Sequence, residues 1–134
     1  MVVVDTNVLA YLLIEGDRTT EAQALYAADP DWRSESLILI EFSNMLATYV
    51  RTSRLTEAAA KEVLVRAEQT LAATINIPHT RALAMASEFG VSAYDARFLA
   101  AARGLQSRLI TEDAKLRRAA PRLTQSLAEA IGGS

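Results

Sequence analysis

The sequence contains no cysteine, a single histidine, and only five glycines spread along the chain. The absence of cysteine excludes disulfides, zinc–thiolate sites and thiol nucleophiles. The lone histidine, His79, directly follows Pro78 at an expected helix start. We therefore favour a role at the helix boundary over a catalytic role. The glycines form neither a Walker loop nor a dinucleotide-binding fingerprint, and no GxSxG nucleophile motif occurs.

Long apolar segments are missing as well. No apolar run approaches the roughly 18 residues that a membrane span needs. The first residues, Met1 to Asp5, lack the basic and apolar regions of a signal peptide. We therefore expect a cytoplasmic protein with no membrane partner. A chain of 134 residues, 51% of them hydrophobic, is long enough for one domain with its own core, residues 1–134.

Short apolar segments alternate with segments of helical periodicity. The β-branched run from Val2 to Val4 predicts a buried strand, and Val8, Leu9, Leu12 and Leu13 then form one face of a helix. Further strands are expected at 31–34, 74–77 and 108–111. Helices are expected at 20–28, 37–50, 56–72, 80–89, 93–103 and 114–119, and from Thr124 onward; residues 132–134 are expected to fray. This alternation predicts an α/β fold whose parallel sheet is covered on both faces.

Two acids follow expected strands directly. Asp5 comes after the first strand, and Asp113 comes shortly after the strand centred on Leu109 and Ile110. Ligands of open α/β sheets bind at the carboxyl ends of the strands, so both carboxylates are candidates for one crevice. The alternative is structural, because an aspartate at either position could simply cap the helix that follows.

Glu41 and Asp95 are further candidates, each with its own structural alternative. Glu41 lies in an apolar helix, where an unpaired carboxylate would be costly unless it is paired or binds a metal; Arg51 or Arg97 could be its partner. Asp95 has the spacing of a capping box with Ser92, in which its side chain would bond the Ser92 amide. Capping and binding can coexist at such a helix start.

The order of these motifs resembles the signature of PIN-domain nucleases, and most closely the VapC-type toxins of toxin–antitoxin pairs. The matching residues are Val3 to Leu9, Glu41, Ser92 to Ala96, and Leu109 to Asp113. The likeness extends to about Leu116, and the segment after Pro121 matches nothing in the pattern. The resemblance implies a three-layer α/β/α sandwich with a mostly parallel central sheet of about five strands.

The resemblance also implies a site, a reaction and partners. Asp5, Glu41, Asp95 and Asp113 would be the metal-binding acids, and Thr111 and Asn7 would orient them or the substrate. Thr6 would add a contact, and Glu112 would be a bystander. The activity would be endoribonuclease cleavage of an RNA substrate. The protein would be a toxin, a homodimer inhibited by a cognate antitoxin whose arginine covers the acids.

The chemistry of these side chains suits a hard cation. Mg²⁺ and Mn²⁺ prefer carboxylate oxygen, whereas a set without cysteine or histidine is poorly suited to zinc. The net charge of −2 disfavours strong unassisted binding of nucleic acid. If cations neutralise four acids, basic side chains such as Arg97 and Arg117 are left to flank the site.

Three other classes remain open. A magnesium-dependent phosphatase of the haloacid dehalogenase type would need a second acid where this chain has Asn7. A phospho-acceptor receiver domain would need paired acids near the first strand and a lysine directly after a late strand, whereas Lys115 falls in the following helix. A non-catalytic PIN-like RNA-binding module would not need all four acids.

Overall fold

The computed structural model describes residues 1–132, so the last two residues of the segment expected to fray lie outside the described range. Within that range the chain forms an all-parallel sheet of five strands in the order β3-β2-β1-β4-β5. The strands are β1 (Val2–Val4), β2 (Trp32–Glu35), β3 (Leu71–Ile75), β4 (Leu109–Ile110) and β5 (Thr124–Gln125). The expected α/β class with a central parallel sheet is confirmed.

The order of the strands places a switch point beside β1. The chain first adds β2 and β3 on one side of β1, and then returns to add β4 and β5 on the other side. Val3 pairs with Arg33 on one flank and with Leu109 on the other. At such a switch point the connections on either side of two neighbouring strands leave in opposite directions, and a crevice opens at the strands' carboxyl ends.

Eight helices within residues 1–132 connect the strands and form the outer layers of a three-layer fold. They are α1 (Thr6–Leu13), α2 (Thr19–Ala28), α3 (Leu37–Arg51), α4 (Glu57–Thr70), α5 (His79–Phe89), α6 (Ala93–Gly104), α7 (Ala114–Ala119) and α8 (Leu127–Ile131). Helices α5 and α6 pack together, and α6 lies against β1, β2 and β4. Helix α1 contacts α2, α3 and α4, and α3 and α4 form the expected hairpin.

The core lies where the apolar periodicity of the sequence predicts it. Val3, Val4, Val8 and Leu9 are fully buried. The first helix places one face in this core, and α6 contributes a run of buried residues that includes Phe98 and Leu99. The packed sheet therefore provides a rigid base for side chains that follow β1 and β4.

The boundary between α4 and β3 differs from the sequence expectations. The strand expected at 74–77 begins earlier, at Leu71, directly after α4, which ends at Thr70 rather than at residue 72. Ala72 and Ala73 favour helix on propensity alone, but pairing of Leu71 with Trp32 in the sheet overrides that preference.

The tail differs as well. Thr124 begins β5 instead of a last helix, because it is buried and its backbone pairs with Leu109. The Thr124 hydroxyl donates a hydrogen bond of 2.9 Å to the Ala120 carbonyl. The last helix, α8, starts only after Ser126, whose side chain caps it. It packs against α2.

No helix within residues 1–132 combines the length and the apolar character that a membrane span requires.

Candidate active site

The four acids singled out in the sequence line one cleft. Asp5, Glu41, Asp95 and Asp113 all contribute to its wall, and its volume is about 560 Å³. They come from four different elements: the end of β1, helix α3, the start of α6 and the turn after β4. The fold thus brings together carboxylates that lie far apart along the chain.

Asp5 both caps a helix and faces the other acids. It precedes α1, and its Oδ1 accepts a hydrogen bond of 3.0 Å from the backbone N–H of Val8. Burial raises the pKa of its carboxyl from 3.8 to about 6, hydrogen bonds from Thr111 and Val8 oppose that rise, and the charges of Asp113 and Asp95 add to it. The bond from Val8 occupies one acceptor position on Oδ1. A carboxylate offers about four such positions, so capping does not exclude binding of another group.

Asp113 follows the same pattern at the end of β4. It caps α7, with Oδ1 accepting from the backbone N–H of Lys115 at 2.9 Å and of Leu116 at 3.2 Å. Its own N–H donates to the hydroxyl oxygen of Thr111 at 3.1 Å. Because Thr111 is fully buried and also hydrogen-bonds Asp5, its side chain connects the two acids that flank the switch point.

Glu41 is held by a hydroxyl group and not by an arginine. Its Oε1 accepts a hydrogen bond of 2.6 Å from the Thr6 hydroxyl. Thr6 is the first residue of α1, so this bond joins α1 to α3 directly beside Asp5. The partners considered from sequence are engaged elsewhere, since Arg51 bonds Thr48 and Arg97 bonds Glu35.

Asp95 lies in the first turn of α6, where Ser92 caps the helix. The backbone N–H of Asp95 donates to the Ser92 Oγ at 3.0 Å. The reciprocal bond of a capping box, from the Asp95 side chain to the Ser92 amide, is not among the hydrogen bonds of residues 1–132. The pKa of the Asp95 carboxyl is raised by burial and by the charge of Asp113.

The remaining wall of the cleft contains both polar and apolar side chains. Asn7 and Asn44 contribute amide groups, and Leu37 and Phe98 contribute apolar surface. Helical spacing from Glu41 could have indicated Asn44, which sequence reasoning missed. None of the described residues in the wall is basic, and Arg97 and Arg117 do not line the cleft. Arg117 instead donates to the Thr111 carbonyl at 3.0 Å.

The donor set suits Mg²⁺ or Mn²⁺ in its chemistry, although the acids do not form a completed cage. Within residues 1–132, no three acid or histidine side chains stand close enough together to hold a metal ion by themselves. Magnesium usually keeps several of its waters and binds through one or two carboxylates. The charges of Asp113 and Asp95 add to the raised pKa of Asp5, and the charge of Asp113 adds to that of Asp95. A divalent cation would relieve this repulsion.

Sequence reasoning overlooked one buried acid, Glu35, which is only 1% exposed. It lies at the carboxyl end of β2 and forms an ion pair of 3.0 Å with Arg97. The available signal was the one used for Asp5 and Asp113, an acid at the end of a parallel strand. The strand expected at 31–34 stops one residue before Glu35, so the sequence did not indicate that Glu35 ends a strand.

Two neighbouring residues have structural roles. Glu112 accepts from the backbone N–H of Leu127 at 2.8 Å and pairs with Arg18 at 3.0 Å, so it fastens the C-terminal helix. His79 is the first residue of α5, contacts Arg97, and is not part of the wall of the acid cleft.

The fold and the site together define an α/β domain with an acid-lined cleft at the switch point of a parallel sheet. Residues 2–121 match the family model described as the PIN domain, and the chain therefore belongs to the PIN domain family. PIN domains are generally metal-dependent nucleases. The match ends at Pro121. Strand β5 and the rest of the segment after Pro121, which matches nothing in the sequence pattern, lie outside the family match.

A solved structure supports the fold independently. The crystal structure of PAE2754 from Pyrobaculum aerophilum matches with a TM-score of 0.80 and 20% sequence identity, over 98% of this chain and 92% of that one. At this identity the likeness shows the fold alone. Comparison with curated proteins found no match.

Proposed function

We propose that this protein is a metal-dependent endoribonuclease that hydrolyses RNA phosphodiester bonds with Mg²⁺ or Mn²⁺. The observation that carries the proposal is the meeting of Asp5, Glu41, Asp95 and Asp113 in one cleft. When bound, a divalent cation would supply positive charge to the phosphate oxygens and lower the pKa of the attacking water. Two or more of these four acids would hold it, with water as the remaining ligands.

The chain's own residues would orient those acids and the substrate. The Thr6 hydroxyl fixes Glu41 through its 2.6 Å bond. Thr111 accepts from the Asp113 backbone N–H and hydrogen-bonds Asp5, so it would orient both acids at the switch point. Asn7 lines the cleft without contributing charge, and its amide would hydrogen-bond the substrate.

One assay tests the activity and distinguishes it from the alternatives. Purified protein is incubated with structured RNA and Mn²⁺, with and without a chelator, and in parallel with a small phosphate monoester. We expect chelator-sensitive RNA fragments with 5′-phosphate ends. Release of phosphate from the monoester alone would instead indicate a phosphatase.

The second candidate is a non-catalytic PIN-like module that binds RNA. It is favoured by the lack of a completed three-acid metal cage within residues 1–132. Such a module would bind RNA in a gel-shift experiment with and without Mn²⁺ and leave it intact.

We further propose that the nuclease is the toxin of a toxin–antitoxin pair and acts as a homodimer. The support is its resemblance to VapC-type toxins and the acidic character of the cleft, which has no basic residue in its described wall. An arginine of a cognate antitoxin would be attracted to that cleft. Expression should arrest growth, and co-expression of the neighbouring gene product should relieve the arrest; unaffected growth would contradict the toxin proposal.

A further inference from the structure

A second polar cluster lies next to the acid cleft and contains none of the proposed metal-binding acids. It consists of Glu35, Arg97 and His79 and is called the Glu35 cluster below. Glu35 is buried, and the Arg97 side chain is only 14% exposed.

Glu35 is the centre of this cluster. Its Oε1 accepts from the backbone N–H of Leu37 at 2.6 Å, and its Oε2 accepts from the backbone N–H of Ile77 at 2.8 Å. Arg97 Nη1 donates to Glu35 Oε2 at 3.0 Å and to the Ile77 carbonyl at 2.7 Å. Arg97 Nη2 contacts His79 Nδ1. One ion pair therefore connects three separate segments of the chain.

Two of those segments carry proposed metal-binding acids. Leu37 is the first residue of α3, and Glu41 follows it by about one helical turn. Arg97 lies on α6, two residues after Asp95 and one residue before Phe98, which lines the cleft. The Glu35–Arg97 pair therefore joins the beginnings of the two helices that face each other across the site.

A stabilising role alone is a weak explanation for such a pair. Taking two charges out of water costs free energy, and an apolar replacement of similar volume is often equally stable or more stable. A role in positioning other residues depends instead on the directions in which the side chain donates its hydrogen bonds. The planar guanidinium of Arg97 bonds Glu35 and the Ile77 carbonyl through Nη1 and contacts His79 through Nη2. Neither an apolar pair nor the single nitrogen of a lysine reproduces this arrangement.

We propose that Glu35 and Arg97 are positioning residues that set the spacing between Glu41 and Asp95 for cation binding. This inference rests on the proposed nuclease function. Residues that orient the ligands of a metal typically change its affinity or the activity by 10- to 100-fold when they are replaced.

The test uses the full chain and the double variant Glu35→Gln/Arg97→Met, which carries no buried charge at this place. Three quantities are measured: unfolding by urea with chelator present, the Kd for Mn²⁺ from the paramagnetic resonance signal of the free ion, and kcat on structured RNA. We expect the double variant to unfold cooperatively, at a urea concentration near the unfolding midpoint of the unmodified chain. The Kd for Mn²⁺ should rise about tenfold or more, and kcat should fall by a similar factor.

Arg103→Met is the matched control, because Arg103 lies on the same helix and pairs at 2.8 Å with Glu88 on the surface. It should leave both the Mn²⁺ affinity and kcat unchanged. If the double variant fails to fold, Arg97→Lys replaces it. The lysine keeps the positive charge next to Glu35 but loses the planar fork and the second nitrogen, which contacts His79, so a raised Kd for Mn²⁺ is again expected.

The outcomes separate the two levels of the proposal. A folded double variant, or a folded Arg97→Lys chain, with the Mn²⁺ affinity and kcat of the unmodified chain would overturn the positioning role and leave the nuclease proposal intact. If the unmodified chain neither binds Mn²⁺ nor cleaves RNA, the nuclease proposal fails and this inference fails with it.

Discussion

At the scale of single residues, helix capping and cation binding require different properties of the Asp5 side chain. The cap requires an oxygen that accepts from the Val8 N–H, and an asparagine can supply one as well. The proposed cation requires a charge, and burial together with Asp113 and Asp95 makes that charge costly in the absence of metal. The two roles can therefore be separated by removing the charge and keeping the oxygen.

Asp5→Asn should abolish RNA cleavage and stabilise the metal-free protein at neutral pH. A carboxyl whose pKa rises from 3.8 in the unfolded chain to about 6 in the fold contributes stability that is complete below pH 3.8 and is lost as the pH rises through 6. At neutral pH the ionised carboxyl of Asp5 therefore lowers the free energy of unfolding of the metal-free protein by about 3 kcal/mol.

The measurement is urea unfolding with chelator between pH 4 and pH 7 for both chains. The free energy of unfolding of the variant relative to the unmodified chain should increase across that range. A variant that is less stable at every pH would instead show that the charged cap dominates.

Thr6→Val should weaken activity without disrupting the fold. Valine has nearly the same shape, but it removes the hydroxyl that holds Glu41 at 2.6 Å. Loss of an orienting partner of this kind typically costs 10- to 100-fold. Kinetics of RNA cleavage at several Mn²⁺ concentrations would measure it. Thr6→Ser keeps the hydroxyl and is the control; equal losses in both variants would contradict the proposed bond.

At the scale of elements, the strands and helices that position the acids could be predicted because strong local signals agree with the tertiary packing. The β-branched run Val2–Val4 and the apolar stripe after it have no competing pattern. The beginning of β3 was missed because Ala72 and Ala73 favour helix, and only their sheet partners on β2 decide otherwise.

The site was predictable to the extent that it depends on strand ends. Asp5 and Asp113 follow strands directly, whereas the bond from Thr6 to Glu41 depends on how α1 packs against α3. The Glu35–Arg97 pair joins residues that lie far apart along the chain, and no spacing pattern indicates such a contact. Periodicity defines the face of a helix, but it does not define the partner on another helix.

Gly90 tests the end of α5. It adopts the left-handed conformation, with φ of 66° and ψ of 40°, which costs an L-residue about 1–2 kcal/mol. Gly90→Ala should therefore lower the free energy of unfolding by about that amount. Gly104 does not have a positive φ, and an added Cβ meets no atom within 4 Å at either glycine. Gly104→Ala is thus the matched control, with equal or higher stability expected in urea unfolding; equal destabilisation by both would contradict this account.

At the scale of the whole molecule, the strand order brings the acids together. Because β1 lies between β2 and β4, residues from both ends of the sequence reach one crevice. The segment after residue 121, beyond the family match, completes this arrangement structurally. Strand β5 covers the edge of β4, and Glu112 ties α8 to the turn that carries Asp113.

We propose that this crevice holds a divalent cation through its carboxylates. The most direct measurement is the anomalous scattering of manganese in a crystal of the protein grown with Mn²⁺. We predict a peak in the cleft, with oxygens of at least two of Asp5, Glu41, Asp95 and Asp113 at about 2.0–2.2 Å and waters completing an octahedron. A well-ordered crystal with the four carboxylates turned toward separate regions and no peak between them would contradict the account.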